Sequence, residues 1–398
     1  MAKSTIMVWI LIYALLLPFV TLGLFESDFS PFYLSVLLGA YLYIAIVRKS
    51  TQRQSVTLLI ITLFCLVMEL VSQTADFRVV KFSVAILTLS ALYGVLVGMK
   101  GGIFLPRQLL LIVIVWVVSG CISLVIPDAF SILLYRTGFD SSRGATGLAP
   151  EPAYFGLSCV GFFGLCMAGA QECKNDRRSR RLMQLAIVVS SVGAILSLSL
   201  YALIALFLIM FLLRPIFGIF VLFVSVPTLL LLSPESRLIH LVSETLQNPI
   251  FLLSDISFFL RINSIFSAFD IGVLKLMGLG TYFSSGQIFP FSGLAGFYDG
   301  MEIIAANSEA IYGGLSIIIL RYGVVGVLLT FIIILVLLSM TDRSKVSSKS
   351  HYAGVLSLLP IVIFVGPVAL PALFMSFLSL TGRIKVLRSH QENDVAVA

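Results

Sequence analysis

The sequence predicts an all-α, polytopic integral membrane protein, and three observations predict it. Of its 398 residues 59% are hydrophobic and only 11% charged, with a mean hydropathy of +1.09, far too apolar for a soluble domain. Apolar runs of span length recur along the whole chain. The runs are continuous instead of alternating, and lipid offers the backbone no hydrogen bonds, so the spans are helices and not barrel strands.

A spanning helix needs about 20 apolar residues. Taken in order, the runs predict spans near 6–25, 32–47, 56–72, 79–99, 103–126 and 153–171. The first has no small-residue cleavage site after it and reads as a retained span, not a signal peptide. The stretch from Leu182 to Leu213 is too long for one span and carries Ser197-Leu198-Ser199 at its middle. It fits a pair of short helices turning at the serines, with one kinked, strongly tilted helix as the alternative. After Arg214-Pro215 come spans near 216–232 and 311–338. The apolar region 353–380 is interrupted by Pro360, Pro367 and Pro371, which favour two short helices over one and bring the total to about twelve.

Orientation follows from the basic residues. With the N-terminus inside, eighteen of the 26 Lys and Arg fall on the cytoplasmic side: Lys3, the group Arg48 to Arg53, Lys100 and Arg107, the cluster Lys174 to Arg181, Arg214, and the two groups 343–349 and 383–388. This bias puts both termini in the cytoplasm. The net charge of +7 is then a consequence of topology and implies no nucleic-acid partner. The expected organisation is a single transmembrane domain over 1–398 with a first outside loop at 127–152, a large outside loop at 233–310 that forms a partly structured lid, and a disordered cytoplasmic tail after Arg388 (389–398). The lid carries amphipathic stretches and is apolar enough to lie against the membrane surface. The five cysteines fall in or beside spans, and they offer neither a disulfide framework nor a metal site.

Charged residues beside hydrocarbon mark functional sites by default, because each costs several kcal/mol unless paired or hydrated. Where the chain leaves the bilayer it reads Arg143-Gly-Ala-Thr-Gly-Leu-Ala-Pro-Glu151-Pro152-Ala-Tyr154. Glu151 stands at the entrance of a helix whose first turn holds Pro152, so it serves either as a helix-capping carboxylate, worth about 0.3–1 kcal/mol through the dipole, or as a chemical group. Capping does not require an arginine eight residues earlier. Arg321, about ten residues into a span, needs an anionic partner, either a carboxylate such as Glu309 or a ligand phosphate that its planar fork can grip. Arg78, Arg136, Arg237 and Arg261 also lie outside, with Lys81 and Lys275, and line an anionic-substrate site or are individually solvated. His240 lies in an amphipathic stretch of the lid, as a surface or a catalytic residue. The glycines of Gly278-Leu-Gly280 and of Arg321-Tyr-Gly323-Val-Val-Gly326 are packing sites or motif positions.

The segment Arg143 to Tyr154 resembles the arginine and Glu-Pro-Ser-Tyr-like pattern of bacterial O-antigen and exopolysaccharide polymerases. Gly278-Leu-Gly280, the long lid, and the run from Asn307 through Arg321 to Gly326 are similar to the large periplasmic loop of that family and the glycine-bearing span after it. The likeness covers roughly 140–330. Related O-antigen ligases carry a histidine near the end of the large loop, where this sequence has Asn307-Ser308-Glu309, a departure that argues against a ligase. The resemblance implies a GT-C-like glycosyltransferase of the bacterial inner membrane, without metal or cofactor, that moves a growing glycan from undecaprenyl pyrophosphate to a lipid-linked repeat unit on the periplasmic face. Glu151 would be the proton acceptor. Arg143 and Arg321 would bind the donor pyrophosphate, with Arg78, Arg136, Arg237 and Arg261 as further phosphate ligands, and Tyr154 and Asn307 would orient sugars. Membrane lipid and a chain-length regulator protein are the further partners it implies. The alternatives are an O-antigen ligase that uses lipid A core as acceptor, and a flippase or transporter, whose inner charges and pseudo-symmetric halves the sequence does not display.

Overall fold

The computed structural model describes residues 2–22, 30–47, 53–71, 81–98, 104–134, 144–216, 314–341, 347–359 and 370–383, with a few isolated positions between 218 and 269. Among these residues every regular element is helical and there is no strand. Eleven helices fall on the predicted runs: α1 (Ala2–Leu16), α2 (Pro31–Val47), α3 (Arg53–Val71), α4 (Lys81–Gly98), α5 (Pro106–Val125), α6 (Pro152–Glu172), α7 (Arg177–Leu196), α8 (Leu200–Leu213), α9 (Gly314–Ser339), α10 (Ser348–Leu359) and α11 (Pro371–Leu380). Among the described residues four segments are long and apolar enough to cross a membrane: Pro106–Val125, Pro152–Glu172, Arg177–Leu196 and Tyr322–Ser339. Apart from residue 216 and those isolated positions, the expected span at 216–232 and the large loop 233–310 lie outside the described residues, as does the tail 389–398.

The way side chains sort on α5 is that of a membrane helix. Leu111, Val118, Ile122 and Val125 lie on an exposed stripe, Val125 at 80% exposure, while Trp116, Ser119, Gly120 and Ser123 face inward. A water-soluble helix would do the reverse. Where the surroundings are as apolar as leucine, small and polar residues go to the helix interfaces, because close approach and hydrogen bonds supply the association energy. Helices α3 and α4 are joined that way: Ser55 Oγ donates to the Ser90 carbonyl at 2.9 Å, and Ser90 Oγ donates to the Ser55 carbonyl at 2.8 Å.

Helix α6 is the axis of the bundle. It is apolar all round and buried without interruption from Phe155 to Cys166, as a helix surrounded by other helices must be. Helices α5, α7, α8 and α11 pack around it. At Gly161 the backbone of α11 comes so close that a Cβ would overlap the peptide between Ala372 and Leu373.

Two helix interruptions shape the rest. Between α7 and α8, Leu198 adopts φ +48°, the Ser197 hydroxyl donates to the Ala194 carbonyl at 2.7 Å, and it accepts the Ser199 amide at 3.2 Å. Near the far end of α8, Met210 and Arg214 line a cleft together with Arg180 and Gln184 from the start of α7. The interruption is therefore a hairpin turn, which decides against the single tilted helix. In α9, Gly323 breaks the helix with φ +59° and ψ −137°, a region essentially closed to residues with a Cβ. The single span expected at 311–338 is thus two helical segments joined at a kink.

Candidate functional site

The head of α6 is built from four chain segments. After α1 the chain turns through Phe19 to Leu22, and the amides of Thr21 and Leu22 donate to the Leu133 carbonyl at 2.9 and 3.2 Å, which ties this turn to the 126–134 turns that follow α5. Trp116 of α5 donates its indole N–H to the Leu15 carbonyl at 2.9 Å, a buried bond that fixes the C-terminal end of α1 against α5. Its ring lies near Phe155, with centroids 6.0 Å apart, and is edge-on to Phe19 at 6.4 Å. Tyr154 stacks on Phe19 at 5.7 Å with planes 11° apart, so the tyrosine of the motif is held in a fixed orientation.

The third segment is the loop 144–151, which is inlaid in protein and not spread over the surface. Gly144, Ala145 and the run from Gly147 to Pro150 are buried. Backbone that leaves a helix at membrane depth must find partners inside the protein. Here Ser123 provides two of them: its Oγ accepts the Thr146 amide at 3.1 Å and the Gly147 amide at 3.0 Å while donating to the Gly120 carbonyl at 2.8 Å. A third comes from the fourth segment, the end of α7, where the Leu196 carbonyl accepts the Ala145 amide at 2.9 Å. The loop closes on itself with the Ala149 amide on the Thr146 carbonyl at 3.0 Å.

Two glycines make this inlay possible. Gly147 sits at φ +54°, where a Cβ would stand 2.7 Å from Ser119 Oγ and 2.9 Å from the Gly120 amide nitrogen. Gly144 sits at φ +103° with its α-carbon face against the Ser197 carbonyl. Positive φ and lack of space coincide at both, so each requires glycine.

Glu151 closes the loop and occupies the N-cap of α6, in extended conformation (φ −144°, ψ 150°), with Pro152 in the first turn as the sequence predicts. Its carbonyl accepts the Phe155 amide at 3.1 Å, but its side chain makes no capping hydrogen bond. The capping account of this carboxylate therefore retains only its dipole part. The group is half-buried at the positive end of a helix whose residues Phe155 to Cys166 are all buried.

Of the residues singled out from sequence, the structure brings Glu151 and Tyr154 together in this cluster. Arg143 precedes Gly144 directly but lies outside the described residues, as do Arg78, Arg136, Arg237, His240, Arg261, Asn307 and Glu309. The backbone of Arg321 lies in α9, two residues before the kink, and its side chain is outside the described set. Helix α9 packs against α3. No group of three or more His, Cys, Asp or Glu residues arranged to hold a metal occurs among the described residues. The sequence reading passed over Ser123, Gly144, Gly147 and Phe19. A signal for the first was present, since Ser119, Gly120 and Ser123 put small and polar groups on one face of an otherwise aliphatic helix.

The chain matches no protein-family model and no curated protein sequence.

Proposed function

We infer that the chain is a lipid-linked oligosaccharide polymerase whose reaction centre is the head of α6. The observation that carries the reading is the carboxylate of Glu151: it stands half-buried at the N-terminal end of a helix long and apolar enough to cross a membrane, at the end of a loop fixed from both sides, and makes no side-chain capping bond to that helix. A positioned carboxylate in a partly dehydrated pocket suits proton abstraction from a sugar hydroxyl. In the proposed step the acceptor hydroxyl oxygen attacks the anomeric carbon of the donor glycan. The bond to the pyrophosphate oxygen breaks, undecaprenyl pyrophosphate leaves with the electron pair, and Glu151 takes the hydroxyl proton. A single displacement inverts the anomeric centre. Arg143 and Arg321 are assigned to the leaving pyrophosphate, where cationic forks offset the developing charge. Tyr154, fixed by its stack on Phe19, is assigned to sugar orientation. The resemblance of the Arg143 to Tyr154 segment to polysaccharide polymerases supports the donor class, and with it a reaction on the periplasmic face of the inner membrane is proposed.

Glu151→Gln tests the reading. The amide keeps size and an acceptor oxygen, and no side-chain capping bond is lost, so the capping share of any stability change is limited to the dipole contribution of about 1 kcal/mol. Turnover of purified lipid-linked repeat units to polymer should drop by about 10²- to 10⁴-fold, the usual share of acid–base catalysis. Near-normal polymerisation by the substituted protein would remove Glu151 from the chemistry.

A further inference from the structure

At the other end of α6 three helix stripes converge on one cleft of about 300 Å³. Along α6 and the turn after it the lining runs from Phe163 and Met167 through Gln171 to Lys174. Along α7 it runs from Ile187 through Gln184 to Arg180, and on α8 from Met210 to Arg214. All three stripes share one order: apolar at depth, cationic at the mouth, with amide side chains between on α6 and α7. Phe163, Ile187 and Met210 are buried, whereas Lys174, Arg180 and Arg214 are exposed. No acidic residue lines the cleft among the described residues. Asp176, in the turn beside it, has its carboxylate on the start of α7, where it accepts the Arg178 and Ser179 amides at 3.0 and 3.2 Å and the Ser179 hydroxyl at 2.6 Å.

That order is the order of a phospholipid: anionic phosphate, hydrogen-bonding glycerol esters, hydrocarbon. The depth agrees as well. From Phe163 to Glu172, where α6 ends two residues before Lys174, the helix rises roughly 14 Å, close to one leaflet of a hydrocarbon core about 30 Å thick. We propose that the cleft between α6, α7 and α8 binds an anionic phospholipid of the leaflet on the basic side of the protein, with the phosphate held by Lys174, Arg180 and Arg214 and an acyl chain lying along Phe163, Met167 and Met210. A free anion would use the three cations but has no use for the apolar floor, so the lipid is the occupant that accounts for both. Basic pockets between spanning helices are suited to such headgroups, each cation contributing about 1 kcal/mol beside an anionic surface. The site lies at the opposite end of α6 from Glu151 and stands independently of the glycan chemistry.

Native mass spectrometry of the full chain in detergent tests this, with phosphatidylglycerol, phosphatidylcholine or inorganic phosphate added. The intact protein should retain phosphatidylglycerol in preference to phosphatidylcholine, and inorganic phosphate should not displace it. Arg214→Gln should weaken retention about five-fold, and the Lys174→Gln, Arg180→Gln, Arg214→Gln triple variant about 10²-fold. Ala170→Phe, which fills the cleft without touching a charge, should also reduce lipid retention, while Arg107→Gln at the exposed start of α5 should not. The proposal is overturned if Arg214→Gln and Ala170→Phe both hold phosphatidylglycerol as the unsubstituted chain does, if phosphatidylcholine binds equally, or if inorganic phosphate competes it away.

Discussion

Replacing Ser123 by alanine removes the clamp on the loop that carries Glu151. The Ser123 hydroxyl accepts two amides, that of buried Gly147 at 3.0 Å and that of half-buried Thr146 at 3.1 Å. Leaving a buried donor without its partner costs about 1–3 kcal/mol. Taking about 2 for Gly147 and about 1 for the more accessible Thr146 gives a local destabilisation of about 3 kcal/mol. The Ala145 amide keeps its bond to Leu196, so the loop loosens without leaving its seat. Hydrogen exchange of peptides covering 144–150 reads the opening directly. It should accelerate about 10²-fold in Ser123→Ala, because about 1.4 kcal/mol is a factor of ten. Ser119→Ala is the control, since the Ser119 hydroxyl donates within its own helix to the Trp116 carbonyl at 2.7 Å. If the proposed function holds, polymerisation should fall in Ser123→Ala along with the protection, as a displaced catalytic group would lose rate steeply with distance. Exchange no faster in Ser123→Ala than in Ser119→Ala would refute the idea that this hydroxyl holds the loop.

At the kink of α9, Gly323→Ala forces a Cβ into φ +59°, ψ −137° and should destabilise the protein by about 1–3 kcal/mol, seen as a lowered melting temperature in detergent. An unchanged melting temperature would mean that α9 straightens at little cost. Topology is checked by thiol labelling in a Cys121→Ser background, because Cys121 is the exposed one of the five cysteines. A cysteine at exposed Ser131 should react with an impermeant reagent from the periplasm and one at exposed Arg178 should not; the reverse sidedness would put Glu151 in the wrong compartment.

What the sequence by itself determined is the part that local pattern encodes. Continuous apolar runs gave the helical class and the helix positions. Ser197 to Ser199 marked the break before α8, the prolines separated α10 from α11, and Glu151-Pro152 marked the start of α6. Each follows from a few neighbouring residues and the demand that backbone in lipid bond to itself. Tertiary structure alone decided what depends on segments meeting from far apart. That the 144–151 loop is inlaid, that Ser123 is its clamp, and that Glu151 is not spent on capping all follow from α5, α6 and the α7–α8 turn converging at one end. The same holds for Lys174, Arg180 and Arg214, which read in sequence as scattered cytoplasmic charges and become one cleft only because α8 folds back along α7. Gly323 shows the limit most simply: glycines are common in spanning helices, and only the backbone of α9 distinguishes one that kinks the chain from one that merely lets helices approach.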